Sequence, residues 1–307
     1  MKITSLQISA SLTSLLKQLG YISVLAFLPA ANAQVVWNGA GDGTTWGDDA
    51  NWIGGSAPTG SDLVQLQGAT VTVDTIESYT GFDATGDDGT LIIENGGELT
   101  ANASGNAFRR IAGVTINSGG KLISADTNNI RSGFITINSG GELRGTDSIL
   151  DQDLLTVDGI FRPMDTIDGN NQFDIGSLTT RGTVVLNPGG TIELDLFGNG
   201  VNEGFRLFPD NNPGLKSELD IANGSIDLVL QGGYSPTIGD SFDLWDDPNG
   251  DSILTLGDGS NITLSGYSLN TSSFATDGVV TVVPEPTSLL LSALGFLLVG
   301  FGIKFRR

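Results

Sequence analysis

The amino-acid sequence predicts a mainly β chain: a right-handed parallel β-helix, or β-solenoid, closed by N- and C-terminal β caps and followed by one C-terminal transmembrane helix. Three observations carry this prediction. Four segments, 91–99, 114–122, 135–143 and 184–192, align on the pairs Gly96-Gly97, Gly119-Gly120, Gly140-Gly141 and Gly189-Gly190. In each, the positions five and three before the first glycine and three after it are apolar, the period-two pattern of strands that bury one side. The first three pairs recur after 23 and 21 residues, the length of one solenoid coil.

The N-terminus comes first in the chain and is set aside from the fold. Residues 1–33 hold Lys2, Lys17, no acidic residue, an apolar run from Tyr21 to Leu28, and Ala31-Asn32-Ala33 as a small-x-small site. This reads as a secretory signal peptide cut after Ala33, leaving Gln34 first. Residues 34–80 form a Trp-rich cap, with Trp37, Trp46 and Trp52 within sixteen positions. These rings have two readings, a plug over the open end of the solenoid or a stacking surface for a sugar. The run Trp37-Asn38-Gly39-Ala40-Gly41 and the pattern Trp46-Gly47-x-x-x-Asn51-Trp52 resemble the opening module of passenger-type proteins with autotransporter-associated β-strand repeats. That resemblance brings no catalytic residues.

Residues 81–200 are the repeats. In a parallel β-helix, Leu91, Val114 and Ile135 stack, as do Ile93, Ile116 and Ile137, with coils about 4.8 Å apart. Asn or Ser before Gly-Gly supplies the positive φ angles that the corners need. Between Gly140 and Gly189 lie 49 residues, room for two coils, and 154–161 reads as a degenerate one. Asn-Gly also makes hairpins, so an antiparallel β-sandwich is the alternative. Residues 201–283 close the body as a C-terminal β cap.

Charge and missing residue types restrict function. From Gln34 to Pro284 there are nine basic and 34 acidic residues, a net charge of −25. Such a surface disfavours nucleic acid and anionic membranes. The chain has no Cys and no His, which removes thiolate and Ser-His-Asp nucleophiles and the usual zinc ligand sets. Carboxylate chemistry survives. Asp247, Asn249, Asp251 and Asp258 have oxygen ligands at spacings near those of a calcium loop, although Ser252 replaces the glycine and Asp258 is shorter than Glu; solvated turns use the same residues. Asp83, Asp87 and Asp88 form a weaker cluster. Arg109, Arg110, Arg131 and Arg144 lie near one coil apart and suggest a column, or charges scattered over an acidic surface.

The tail is the most specific segment. Val283-Pro284-Glu285-Pro286 precedes a stretch from Thr287 to Ile303 without a charged residue, and Lys304, Arg306 and Arg307 follow. At 1.5 Å per residue such a helix comes close to spanning ~30 Å of hydrocarbon, and the basic end favours the cytoplasm. Residues 284–307 resemble the PEP-CTERM sorting signal. The resemblance implies export, a single-pass inner-membrane intermediate, cleavage near Pro-Glu-Pro by an exosortase-type membrane protease, and delivery to the cell surface or extracellular matrix. The sequence therefore predicts an exported, non-catalytic adhesive or structural protein of exopolysaccharide or biofilm, without cofactor unless calcium binds. A β-helix polysaccharide lyase or hydrolase is the alternative.

Overall fold

The computed structural model describes residues 34–82, 89–102, 105–149, 153–163, 172–175, 182–207, 216–247, 250 and 252–285. Its contacts divide the chain into 1–33 and 34–307, and only the second unit contains described residues. The expected signal peptide, with Ala31 and Ala33, and the expected transmembrane helix with Lys304, Arg306 and Arg307 lie outside them. Among the described residues, no helix is long and apolar enough to cross a membrane.

The body consists of stacked coils whose strands pair in parallel. The first face is an eight-stranded sheet running in stack order through Thr70–Val73, Thr90–Ile93, Gly113–Ile116, Phe134–Ile137, Asp153–Val157, Gly182–Leu186, Glu218–Asp220 and Ile253–Thr255. Every strand in it alternates for one reason: the inward residue meets apolar side chains and the outward one meets water. Val71, Leu91, Val114, Ile135, Leu155, Val184, Leu219 and Leu254 are in register from strand to strand. Beside them stack Val73, Ile93, Ile116, Ile137, Val157 and Leu186, all fully buried. These are the two ladders that the repeats predict. The antiparallel sandwich does not form, because each Gly-Gly corner passes the chain to the next face of its own coil.

The second and third faces share one sheet. Two long strands, Lys121–Ser132 and Glu142–Ile149, run across both, with register shifts where they pass from one to the other in their pairing. On the second face Leu99, Leu122, Leu143, Phe161, Ile192, Ile226 and Ile262 form the inner column. On the third, Phe173 and Phe205 stack edge to face at 6.1 Å and Trp245 follows in register. The degenerate coil at 154–161 is real, with Asp153–Val157 on the first face and Ile160–Arg162 on the second. The ladder begins at Thr70 and continues to Leu264. The boundaries expected at 81 and 200 therefore fall inside it.

The corners separate two demands on glycine. Gly96, Gly119, Gly140 and Gly189 have φ of +87°, +79°, +82° and +99°. The following residue donates its N–H three positions back, as from Gly120 to the Asn117 carbonyl at 2.9 Å, which is a type II turn. The second glycine of each pair does not adopt a positive φ. It is needed for space: a Cβ on Gly120 would lie 2.5 Å from the carbonyl oxygen of Ile93 one coil below, and Gly97 and Gly190 face the same obstruction from Val73 and Val157. The turn's first side chains form a ladder too, with Asn138 Nδ2 donating to Asn117 Oδ1 at 2.7 Å and Asn117 Nδ2 to Glu94 at 3.0 Å.

Candidate functional site

The closing cap is a three-stranded antiparallel sheet in which Val279–Val283 lies between Ser241–Asp243 and Ser268–Asn270. Alternation decides its packing: Val280 and Val282 point inward with Phe242 and Phe274, all buried. Asp240 ties the preceding loop, accepting from Tyr234 Oη at 2.7 Å and from Thr237 N at 2.8 Å. Desolvation, then the Asp240 carboxylate, push the Tyr234 phenol up to about 12. A short helix, Phe274–Asp277, ends at Gly278 with φ +76°, and its Phe274 carbonyl accepts a hydrogen bond from Trp245 Nε1 at 2.8 Å.

Val283 is the last residue of the central strand and pairs with Ser268. Pro284 and Glu285 come next and are exposed. The junction is abrupt. A family model for the PEP-CTERM protein-sorting motif matches residues 282–307. The chain carries a PEP-CTERM sorting motif. The motif marks an exported protein sorted to the cell surface by an exosortase, a membrane protease. Its first two residues, Val282 and Val283, belong to the folded cap, and Pro284-Glu285 opens the exposed segment. Pro286 lies outside the described residues. No curated protein and no solved structure matches the chain.

The other candidates are redistributed. Trp37, Trp46 and Trp52 are 5%, 0% and 1% exposed. They pack edge to face, Trp37 on Trp52 at 4.9 Å, Trp52 on Trp46 at 5.1 Å, and Trp46 on Tyr79 at 5.8 Å. No ring face is left for a sugar. The stacking expectation is corrected to the plug, because covering the open end of the apolar ladder buries more surface than any exposed arrangement would. Buried Asn51 sets the loop around them: its Oδ1 accepts from Gly41 N and Gly43 N, and its Nδ2 donates to Asp42 Oδ1 at 2.7 Å and to Thr45 O at 2.9 Å. Hydrogen bonds from Thr45, Thr44 and Asn51 hold the Asp42 carboxyl well below the usual range. The Trp-Gly-x-x-x-Asn-Trp pattern is thus structural. Sequence spacing alone gave no sign that its asparagine is buried along with the two tryptophans.

In the calcium candidate, Asn249 and Asp251 lie outside the described residues. Asp247 accepts from Gly250 N at 3.0 Å and Ser252 N at 3.1 Å, and Asp258 from Ser260 N at 3.0 Å. Both act as turn acceptors. Among the described residues no three His, Cys, Asp or Glu converge on a common point. Asp83, Asp87 and Asp88 also lie outside the described residues.

The arginine column is also corrected. Arg109 and Arg131 are in register, but Arg144 pairs with Ile123 and Arg162 on the second face, because the corner at Gly140 restarts the register there. Arg162 bridges Glu142 at 3.4 Å and Glu193 at 3.0 Å. On the third face Arg206 grips Asp174 with two bonds of 2.8 Å. Sequence reasoning missed one feature. Glu193 and Asp227 stand in register on neighbouring strands and line a groove of about 710 Å³ with Thr263 and Ser265. Burial pushes the Glu193 carboxyl up, Arg162 opposes it, and Asp227, Glu142 and Asp195 add to the rise. Only the register of coils 34 residues apart brings this pair together.

Proposed function

We propose that this protein is a non-catalytic adhesive or structural element of the cell surface or extracellular matrix. The observation that carries the reading is a PEP-CTERM motif joined without a linker to a solenoid body. In this reading the signal peptide is removed after Ala33, and the apolar stretch from Thr287 to Ile303 holds the chain in the inner membrane as Lys304, Arg306 and Arg307 stay on the cytoplasmic side. Cleavage near Pro284-Glu285-Pro286 then passes the body outward. An elongated stack of coils offers extended area, and many weak contacts to extracellular polysaccharide add up through multivalency. Cells lacking the protein should lose aggregation or attachment and regain it when it is supplied again; unchanged attachment and matrix composition would contradict the reading.

A second reading, a β-helix carbohydrate-active enzyme, is favoured by one observation, the Glu193–Asp227 pair. A carboxyl with a raised pKa beside a second carboxylate is the arrangement used in glycosidic acid–base chemistry. Against it, Glu193 is engaged by Arg162, and Asp227 accepts from Thr263 Oγ1 at 2.7 Å. Reducing-end release from a polysaccharide panel, abolished by Glu193→Gln, would establish the enzyme; no release supports the structural reading.

A further inference from the structure

The first and second faces differ in charge among the described residues. On the second face the outward residues include Lys121, Glu142, Arg144, Arg162, Glu193 and Asp227, which pair within or across coils or line the groove. On the first face, the described outward residues of six successive strands, from Thr70 to Val185, include no charged residue. This occurs in a chain with 35 acidic and 14 basic residues. One outward column consists of threonine, isoleucine and valine alone, with Thr115, Thr136 and Thr156 on consecutive strands. The neutral area ends at Glu218 and Asp220 on the next strand.

Its centre is built around an aromatic ring. Phe134 and Leu154 are neighbours in register and remain 39% and 38% exposed, against the usual tendency to bury such side chains. The far end of the Phe134 ring occupies the place where a Cβ on Gly113 would sit. The ring therefore lies down across the adjacent strand, and glycine at 113 is what permits it. An aromatic leaning over the adjacent strand, with threonines on the strands to either side, suits the alternating C–H and O–H surfaces of a pyranose ring.

We propose that this uncharged face binds a neutral polysaccharide, with Phe134 as the stacking platform and the threonine column supplying hydroxyl contacts. The inference rests on the surface-adhesin reading above and names the face and the polymer class. Six strands at ~4.8 Å cover about 24 Å along the stack. The strand spacing is similar to the advance per residue of an extended β-linked hexose chain. Charge selects the polymer: a body of net −25 repels acidic chains, and this face lets a neutral one approach without desolvating carboxylates at its described outward positions.

The test is isothermal titration of the full-length chain in detergent micelles with a soluble neutral β-glucan, and with polygalacturonate as the acidic comparison. The neutral polymer should bind and the acidic one should not. Phe134→Ala should weaken binding about tenfold, Thr136→Glu should do so at least as strongly, and Lys121→Ala on the second face should leave it unchanged. Circular dichroism reports whether each variant keeps its fold. Undiminished binding in folded Phe134→Ala and Thr136→Glu would overturn the placement while leaving polysaccharide adhesion intact. Failure of the wild-type chain to bind either polymer would overturn the proposal and weaken the adhesin reading with it. A dimer that dissociates on Phe134→Ala, with no heat from glucan, would assign the face to a second copy of the chain and overturn the proposal.

Discussion

Each glycine of a corner pair fails differently when given a side chain. At Gly189, φ is +99° and nothing lies within 4 Å of an added Cβ. Gly189→Ala should therefore cost only backbone strain, about 1–2 kcal/mol. At Gly190 the added carbon meets the Val157 carbonyl of the coil below. Gly190→Ala must push coils apart and should cost about 3 kcal/mol or more. Urea midpoints of the two variants check the order; equal losses would refute the division of roles. Asn51 is the corresponding residue of the cap. Asn51→Ala strands the N–H groups of Gly41 and Gly43 and should destabilise the cap by about 2–4 kcal/mol, read as a red shift of tryptophan emission at lower urea. The glycine pairs were legible in the sequence because their pattern repeats. The different burden on each member was not, since one is local and the other depends on the coil beneath.

The strands repeat the lesson with register. Apolar positions at 91, 114 and 135 announced a ladder because period and spacing are local signals, and the ladder forms. What remained unreadable were pairs joined across unequal coils. Leu155 to Val184 spans 29 residues and Val184 to Leu219 spans 35, so no fixed spacing leads to Glu193 beside Asp227 or Asp174 beside Arg206. The Asp174 pair yields a pH prediction. Burial raises the Asp174 carboxyl above 3.8 and Arg206 opposes the rise. A raised carboxyl costs the folded state as pH climbs through its folded value. Without the guanidinium that cost deepens and its window moves upward. Arg206→Ala should lose about 2 kcal/mol at neutral pH, with the loss shrinking toward roughly pH 4, as followed by thermal denaturation. Parallel stability profiles for variant and parent would show that the pair contributes nothing.

Across the entire chain, the acidic body, the Trp plug, the closing sheet and the sorting motif have a consistent division of labour. The caps seal an apolar ladder that lacks disulfides, and the motif begins inside the last buried strand. A cut before Val279 would remove the middle strand of the closing sheet, and one before Val283 would shorten it. Truncation at Asp277 should therefore expose Phe242 and Phe274 and leave a protease-sensitive C-terminal end, whereas truncation after Pro284 should leave the melting temperature unchanged. The exposed Pro284-Glu285 step is the first place at which the tail can leave without unfolding the body. Intact-mass spectrometry of the protein recovered from its native cell surface tests this account most directly. The predicted mature chain begins at Gln34 and ends within the Pro284–Thr287 segment; a C-terminus beyond Ile303, or one before Val283, would contradict it.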